Sequence, residues 1–262
     1  RDSEIEALYR MVLQTPLLLL YGLSGTGKTS LVQCGLAGKF DGTDWLPFWI
    51  RREDDINRSL HKALDAVRAG IAAPAPAHIT TPGKIEQLYS HFLRPVFLIF
   101  DQFEELYVFG DASERATFVE ELKSILEAEL PCTILLSVRE EYLGRLYPLE
   151  KEIPSLFNFR MRVERMDAAH VTEVLSESFR QFNIGVEPPA PERFGEIIEN
   201  VSQGRSGIEL PYLQVYLDRL YREDHAGSYP GGTDLPEGQW PPLTFSKAEI
   251  ADFGTITDVL DN

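Results

Sequence analysis

A glycine-rich segment that follows an apolar run constrains the fold of this chain more than any other feature. Residues 22–29 read Gly-Leu-Ser-Gly-Thr-Gly-Lys-Thr, and the apolar run 17–21 comes directly before them. They match the G-x-x-x-x-G-K-[ST] pattern (Walker A) of a phosphate-binding loop, in which backbone N–H groups surround an anion. Such a loop joins a strand to a helix, so the pattern predicts a three-layer αβα fold around a parallel sheet.

The residues of this loop have predicted roles. Lys28 adds a positive charge for the outer phosphates, and Thr29 offers its hydroxyl to Mg²⁺. The N-terminus of the following helix adds the positive end of its dipole. The residues predicted to bind the nucleotide phosphates are Gly22, Ser24, Gly25, Thr26, Gly27, Lys28, Thr29 and Ser30.

A second apolar run, 95–100, ends in Asp101 and has the form of a Walker B strand. Uninterrupted apolar runs are typical of central parallel strands that are covered on both faces. Ligands of α/β proteins bind at the carboxyl ends of such strands, so we predict that Asp101 holds Mg²⁺ together with Thr29. The alternative is that Asp101 only caps a helix.

Two glutamates, Glu104 and Glu105, follow within one turn of Asp101. Hydrolysis of a γ-phosphate needs an oriented water molecule, which a nearby carboxylate can bind or deprotonate. Glu105 is the first candidate for this catalytic role and Glu104 is the second. For one of the two, we expect no more than a solvated acid at the start of a helix.

Arg139 ends a third apolar run, 132–138. Its fixed charge and forked donors suit a side chain that contacts a γ-phosphate, and we predict that role beside Lys28. The alternative is an ion pair with Glu140, Glu141 or another exposed acid.

The run 97–106, which ends Asp-Gln-Phe-Glu-Glu-Leu, resembles the second nucleotide motif of the novel STAND ATPases. These are signal-transduction ATPases with numerous domains, related to the NACHT and NB-ARC proteins and to the AAA+ ATPases. Further segments resemble motifs of the same family in the same order, namely residues 1–5, 30–36, 137–139, 207–213 and 243–254.

The resemblance implies ATP and ADP with Mg²⁺ as cofactors, and it places Arg1 and Pro211 near the adenine. No Asn-Lys-x-Asp guanine-reading segment is present. The resemblance also implies four parts: a nucleotide-binding domain at 1–165, a helical domain at 166–225, a flexible linker at 226–242 and the start of a winged-helix domain at 243–262. Because winged helices of this family extend further, we expect the chain to be the central module of a longer protein.

The function that the resemblance implies is a slowly hydrolysing ATP switch. Fused effector and sensor domains and self-association on activation are expected, in prokaryotic immunity or regulated cell death. Two other functions fit the phosphate-binding loop alone: a phosphotransferase that acts on a small hydroxyl substrate, and a nucleotide-gated scaffold without useful hydrolysis.

Composition bears on the partners and on the location. The chain has 25 basic and 41 acidic residues, a formal net charge of −16, which argues against direct binding of nucleic acid. No apolar stretch has the length of a membrane span. Cys34 and Cys132 lack the spacing of metal ligands and are interpreted as reduced thiols. We therefore expect a cytoplasmic protein with no membrane contact.

The periodicity of the apolar residues predicts the order of the elements. Strands are predicted at 17–21, 45–50, 96–100, 134–138 and 157–163, and helices at 28–36, 56–68 and 113–129. Beyond Asp167 only helices are predicted, at 168–182, 192–201 and 210–221.

Overall fold

The computed structural model describes residues 1–71, 79–205, 207–231 and 239–261. The chain forms two compact units, Arg1–Val163 and Glu164–Asn262. In the described part of the chain, no helix combines the length and the apolar character that a membrane crossing requires.

The first unit is built on a five-stranded sheet in the order β2-β3-β4-β1-β5. All of its neighbouring strands are parallel, which confirms the predicted α/β fold with a parallel sheet. The strands are β1 (Leu17–Gly22), β2 (Leu46–Ile50), β3 (Val96–Phe100), β4 (Cys132–Arg139) and β5 (Arg160–Arg162). The fifth strand was predicted over 157–163, but only three of these residues pair, at the edge of the sheet.

The central strands are buried because both faces of the sheet are covered. Every residue of β3 is buried. Along β1, Leu19 belongs to the apolar cluster on one face and Leu20 belongs to the cluster on the other. This arrangement explains why these strands read as continuous apolar runs rather than as alternating patterns.

Helices connect the strands of the first unit. They are α1 (Asp2–Val12), α2 (Lys28–Ser30), α3 (Ile56–Arg68), α4 (Thr81–Phe92), α5 (Glu105–Val108), α6 (Ala112–Glu127) and α7 (Leu143–Glu152). Asp55 and Asp111 cap α3 and α6, since each carboxylate accepts a hydrogen bond from a backbone N–H in the first turn.

The helix after the phosphate-binding loop differs from the continuous helix predicted over 28–36. Helix α2 has three residues and passes into a π-helical segment, Leu31–Leu36, followed by a 3₁₀ turn, Ala37–Lys39. Helix α1 packs closely here: a Cβ on Gly35 would lie 2.6 Å from Cγ1 of Ile5. Gly35 therefore permits the contact between α1 and the segment that carries the loop lysine.

The second unit contains helices and a small sheet. Its elements are α8 (Ala168–Gln181), β6 (Ile184–Val186), α9 (Ala190–Ser202), α10 (Leu210–Ser228), β7 (Leu243–Phe245), α11 (Lys247–Phe253) and α12 (Ile256–Asp261). The prediction that strands stop at Asp167 was wrong, because β6 and β7 pair in parallel. Three-residue strands are too short to show a periodicity of two, and their partners are far apart in the chain.

One hydrophobic core holds the described parts of the second unit together. It includes Leu175 of α8, Ile197 of α9, Tyr216 of α10, Phe245 of β7 and Ile250 of α11. Segments predicted as a helical domain and as the start of a winged-helix domain thus share this core. The division into these two domains stays a prediction.

Helix α10 ends later than predicted. It continues to Ser228, so the first residues of the segment predicted as a linker, 226–242, are helical. The Tyr229 hydroxyl donates a hydrogen bond to the Pro242 carbonyl at 2.8 Å, which ties the end of α10 to the residues before β7. Residues 232–238 of that segment lie outside the described residues.

Candidate functional site

The glycines of the phosphate-binding loop are required by the backbone. Gly25 and Gly27 have φ angles of 74° and 83°, in the left-handed region that costs other residues about 1–2 kcal/mol. Gly22 is required for space, since a Cβ there would lie 2.3 Å from the carbonyl oxygen of Val163. In phosphate-binding loops, such glycines let successive backbone N–H groups point towards an anion.

Lys28 lies over the loop that precedes it. Its Nζ donates hydrogen bonds to the carbonyl oxygens of Gly22, at 2.8 Å, and Leu23, at 3.0 Å. The buried hydroxyl of Thr26 donates to the same Leu23 carbonyl at 3.0 Å. The lysine charge is therefore held at the centre of the loop, where a phosphate would bind.

Acidic residues from two strand ends surround the lysine charge. Burial lowers the pKa of the Lys28 ammonium below its ordinary value, and the nearby Arg139 charge acts in the same direction. The negative charges of Glu104, Glu141 and Asp101 oppose this change. These carboxylates and Arg139 are thus close enough to Lys28 to act on its charge.

The two predicted magnesium ligands lie together. The Thr29 hydroxyl is 3.0 Å from Oδ1 and 3.1 Å from Oδ2 of Asp101. The backbone N–H of Asp101 donates to the Ile50 carbonyl at 2.9 Å, which fixes the end of β3 beside β2. A hydroxyl and a carboxylate are the oxygen ligands that Mg²⁺ prefers beside phosphates and water, so this pair fits the ion.

Ser137 lies in the segment 137–139 that resembles a family motif, and it is a further candidate site residue for which no individual role is predicted from the sequence. The register pairs Phe100 with Leu136, and Asp101 and Ser137 are the next residues along these two segments. The side chain of Ser137 is buried, and its Oγ has no hydrogen-bond partner among the described residues. A buried hydroxyl without a partner among the described residues is a candidate site for an ordered water molecule. The signal in the sequence was a serine within an apolar strand run.

Glu104 contacts Arg139 through both of its carboxylate oxygens. Oε1 lies 2.8 Å from Nε of Arg139, and Oε2 accepts a hydrogen bond from the Arg139 backbone N–H at 3.1 Å. A left-handed turn at Gln102, with φ at 55°, precedes this contact. The backbone N–H of Phe103 then donates to the Ser137 carbonyl at 2.8 Å. This turn brings Glu104 back towards the end of β4.

Glu105, the first candidate for the catalytic carboxylate, is more exposed than Glu104. It is partly exposed at the first position of α5, and its charge raises the pKa of Arg52 to a small degree, after the larger effect of Glu114. Of the two glutamates, Glu104 is the one that contacts Arg139. Which of them orients a water molecule stays a prediction.

The two residues predicted to lie near adenine belong to different units. Arg1 precedes α1 and pairs with Glu4 at 3.2 Å, and α1 packs against the segment that follows the phosphate-binding loop. Pro211 is exposed in the first turn of α10, in the second unit. Their approach to a nucleotide base stays a prediction.

Solved structures share this fold. The ORC2 protein of Aeropyrum pernix, in its ADPNP–ADP complexes, superposes with a TM-score of 0.69 at 14% identity, over 98% of this chain and 67% of that chain. Its ADP form gives a TM-score of 0.66 at 14% identity over 97% and 67%. The Aeropyrum pernix ORC1 protein in complex with DNA gives 0.55 at 16% identity over 97% and 64%. At these identities the likeness shows the fold alone, and the chain spans about two thirds of the length of each structure.

The sequence comparisons identify the family. No curated protein matches the chain. The family model described as novel STAND NTPase 1 matches residues 1–231, which include the phosphate-binding loop, Asp101, Glu104 and Arg139. The chain therefore belongs to the novel STAND NTPase 1 family.

Proposed function

We propose that this chain binds ATP and ADP with Mg²⁺ and hydrolyses ATP slowly, as the switch of a multidomain signalling protein. The observation that carries the proposal is the convergence of Lys28, Thr29, Asp101, Glu104 and Arg139 in one unit. These residues come from the ends of β3 and β4 and from the loop after β1. Together they supply a cation for the phosphates, two ligands for Mg²⁺, a carboxylate and a partly exposed arginine.

Each side chain has a role in this proposal. ATP supplies the phosphoanhydride bond that is broken. Lys28 and the loop N–H groups neutralise the phosphates, and Thr29 and Asp101 hold Mg²⁺. Glu104 or Glu105 orients the attacking water, and Arg139 contacts the γ-phosphate. We further propose that Arg1 and Pro211 contact the base, which would select adenine.

Calorimetry with Mg²⁺ tests nucleotide binding. We expect ATP and ADP to bind and GTP to bind more weakly. Lys28→Ala should weaken adenine-nucleotide binding by about 100-fold or more, since it removes a charged phosphate contact. Lys39→Ala is the matched control, because Lys39 is exposed and pairs only with Glu6 among the described residues. Equal affinities for the wild type and for a folded Lys28→Ala variant would contradict the proposal.

The switch itself requires that the nucleotide changes the assembly of the whole protein. We propose that ADP favours a closed arrangement and that ATP favours self-association, since a ligand shifts an equilibrium by its differential affinity. Sedimentation of the full-length protein with ADP and with AMP-PNP, a non-hydrolysable ATP analogue, measures this. Identical profiles would count against a switch and favour a static nucleotide-binding scaffold.

A phosphotransferase is the alternative. It differs in the product: a switch releases free phosphate, whereas a phosphotransferase transfers the γ-phosphate to an added hydroxyl compound. Labelled ATP with a mixture of metabolites separates the two. We favour hydrolysis, since Glu104 and Glu105 offer carboxylates that can bind water, and both follow closely after Asp101, a proposed Mg²⁺ ligand.

We propose that the whole protein serves prokaryotic immunity or regulated cell death in the cytoplasm, with fused effector and sensor domains. The net charge of −16 supports a partner other than nucleic acid. A phage challenge of bacteria that express the full-length protein tests the role in immunity. Protection that is lost with Lys28→Ala and kept with Lys39→Ala is the expected result.

A further inference from the structure

We propose that Glu104 limits the preference of this site for ATP over ADP. Its carboxylate competes with the γ-phosphate of ATP for the guanidinium of Arg139. The inference rests on the proposed function, since it requires that nucleotide binds at the phosphate-binding loop. It adds a selectivity role for Glu104, whichever glutamate orients the attacking water.

The side chains of Glu104 and Arg139 differ in their exposure to solvent. The side chain of Glu104 is 5% exposed, whereas that of Arg139 is 46% exposed. Glu104 is also held by the Arg139 backbone N–H, which cannot leave the end of β4. The carboxylate is therefore fixed, and the guanidinium is the part that can move.

The guanidinium can pair with a carboxylate or with a phosphate, and both are charge-assisted hydrogen bonds. In the register of β1 against β4, Arg139 pairs with Gly22, the first residue of the phosphate-binding loop, so the Glu104–Arg139 pair lies near the place where the phosphates bind. ADP lacks the third phosphate and leaves the ion pair intact. ATP gains the guanidinium only by withdrawing it from a buried carboxylate, which is then left with fewer partners.

Two consequences follow for the site. The affinity gained from the γ-phosphate is reduced by the cost of separating Arg139 from Glu104, so ADP remains a competitive ligand. In addition, Oε1 of Glu104 becomes free to accept a hydrogen bond from water only after Arg139 has moved. The pair thus links recognition of the third phosphate to the availability of this carboxylate.

The experiment measures the ratio of the dissociation constants of ADP and AMP-PNP, both with Mg²⁺, by calorimetry on the full-length protein. Glu104→Gln removes the charge that holds Arg139, and the ratio should rise about tenfold in favour of AMP-PNP. Glu104→Asp keeps the charge but shortens the side chain, and the ratio should rise about threefold or more. Glu177→Gln is the matched control, because Glu177 pairs with Arg180 on the exposed side of α8 and has no proposed role in the site, and its ratio should stay within about twofold of wild type.

Three results would overturn the inference. The first is an unchanged ratio in both folded Glu104 variants. The second is a rise of the ratio in Glu104→Gln but not in Glu104→Asp. Because Glu104→Asp keeps the negative charge, repulsion between that charge and the γ-phosphate would then explain the data without competition for Arg139. The third is an equal rise in Glu177→Gln. Failure of the wild type to bind either nucleotide would instead contradict the proposed function.

A measurement on the wild type does not depend on the folding of any variant. The Nε–H resonance of Arg139, assigned by its loss in Arg139→Lys, should shift when AMP-PNP binds and stay near its original position when ADP binds. If ADP and AMP-PNP shift this resonance equally, or neither does, then Arg139 does not exchange Glu104 for the γ-phosphate.

Discussion

The Thr29 hydroxyl lies 3.0 Å and 3.1 Å from the two carboxylate oxygens of Asp101, although 72 positions separate the residues in the chain. Thr29 is the second residue of α2, the helix that follows β1, and Asp101 follows the last residue of β3. Strand β4 lies between these two strands, so the contact spans the centre of the sheet. The contact joins the helix after the phosphate-binding loop to the carboxylate of Asp101, which is predicted to hold Mg²⁺.

The first prediction concerns the dependence of binding on magnesium. Chelation should weaken ADP binding to the wild type by about tenfold, because Thr29 and Asp101 hold the ion against the phosphates. Thr29→Ala and Asp101→Asn should lose most of this dependence, whereas Thr29→Ser keeps the hydroxyl and should retain it. Calorimetry with and without EDTA measures the effect. Full magnesium dependence in Thr29→Ala would assign the ion to other ligands.

The second prediction concerns the buried hydroxyl of Ser137. Without nucleotide, Ser137→Ala should be neutral or stabilising by about 1 kcal/mol, because the hydroxyl has no partner among the described residues. Turnover of ATP should fall if the hydroxyl positions a water molecule beside Asp101. Chemical denaturation and phosphate release measure the two effects.

Ser59→Ala is the control for Ser137→Ala. The Ser59 hydroxyl is also mostly buried, but it donates to the Asp55 carbonyl at 3.0 Å and accepts from the Glu53 N–H at 3.2 Å. Its removal should cost about 1–2 kcal/mol. A similar loss of stability in Ser137→Ala would mean that its hydroxyl makes a bond in solution.

The third prediction compares two glycines near the phosphate-binding loop. Gly22→Ala should destabilise the protein by about 2 kcal/mol or more, because the new Cβ would lie 2.3 Å from the Val163 carbonyl oxygen. A Cβ on Gly38 would meet no atom within 4 Å, so Gly38→Ala should be neutral or slightly stabilising. Thermal unfolding distinguishes the two, and equal melting temperatures would contradict the close approach at Gly22.

The fourth prediction concerns the segment before Pro211 in the second unit. Gly204 and Gly207 both have positive φ angles, 72° and 77°, so alanine should cost about 1 kcal/mol at each. A Cβ on Gly207 would also lie 2.7 Å from Cβ of Arg165, whereas nothing lies within 4 Å at Gly204. Hydrogen exchange of peptides from 164–231 should therefore rise more in Gly207→Ala than in Gly204→Ala. Equal increases of hydrogen exchange in the two variants would mean that the positive φ angle alone causes the effect, without a contribution from the contact with Arg165.

The sequence alone determined the parallel-sheet fold of the first unit, and it predicted most of the candidate site residues that the structure brings close together. Strand β3 and most of β4 are buried on both faces, so each appears in the sequence as an unbroken apolar run. The polar residue at the end of each run, Asp101 or Arg139, had to lie at the carboxyl edge of the sheet. Local glycine spacing likewise identified Lys28 and Thr29, because the loop's backbone requires those glycines.

Only the tertiary structure decided which neighbouring side chains meet. Glu104 and Glu105 are equivalent as a local pattern, and the left-handed turn at Gln102 brings Glu104 to Arg139. The position of Ser137 next to the end of β3 likewise follows from the register of β3 against β4. The pairing of β6 with β7 also depended on residues far apart in sequence. Local propensity cannot specify such contacts, because they follow from a turn angle, a strand register and packing that involve distant parts of the chain.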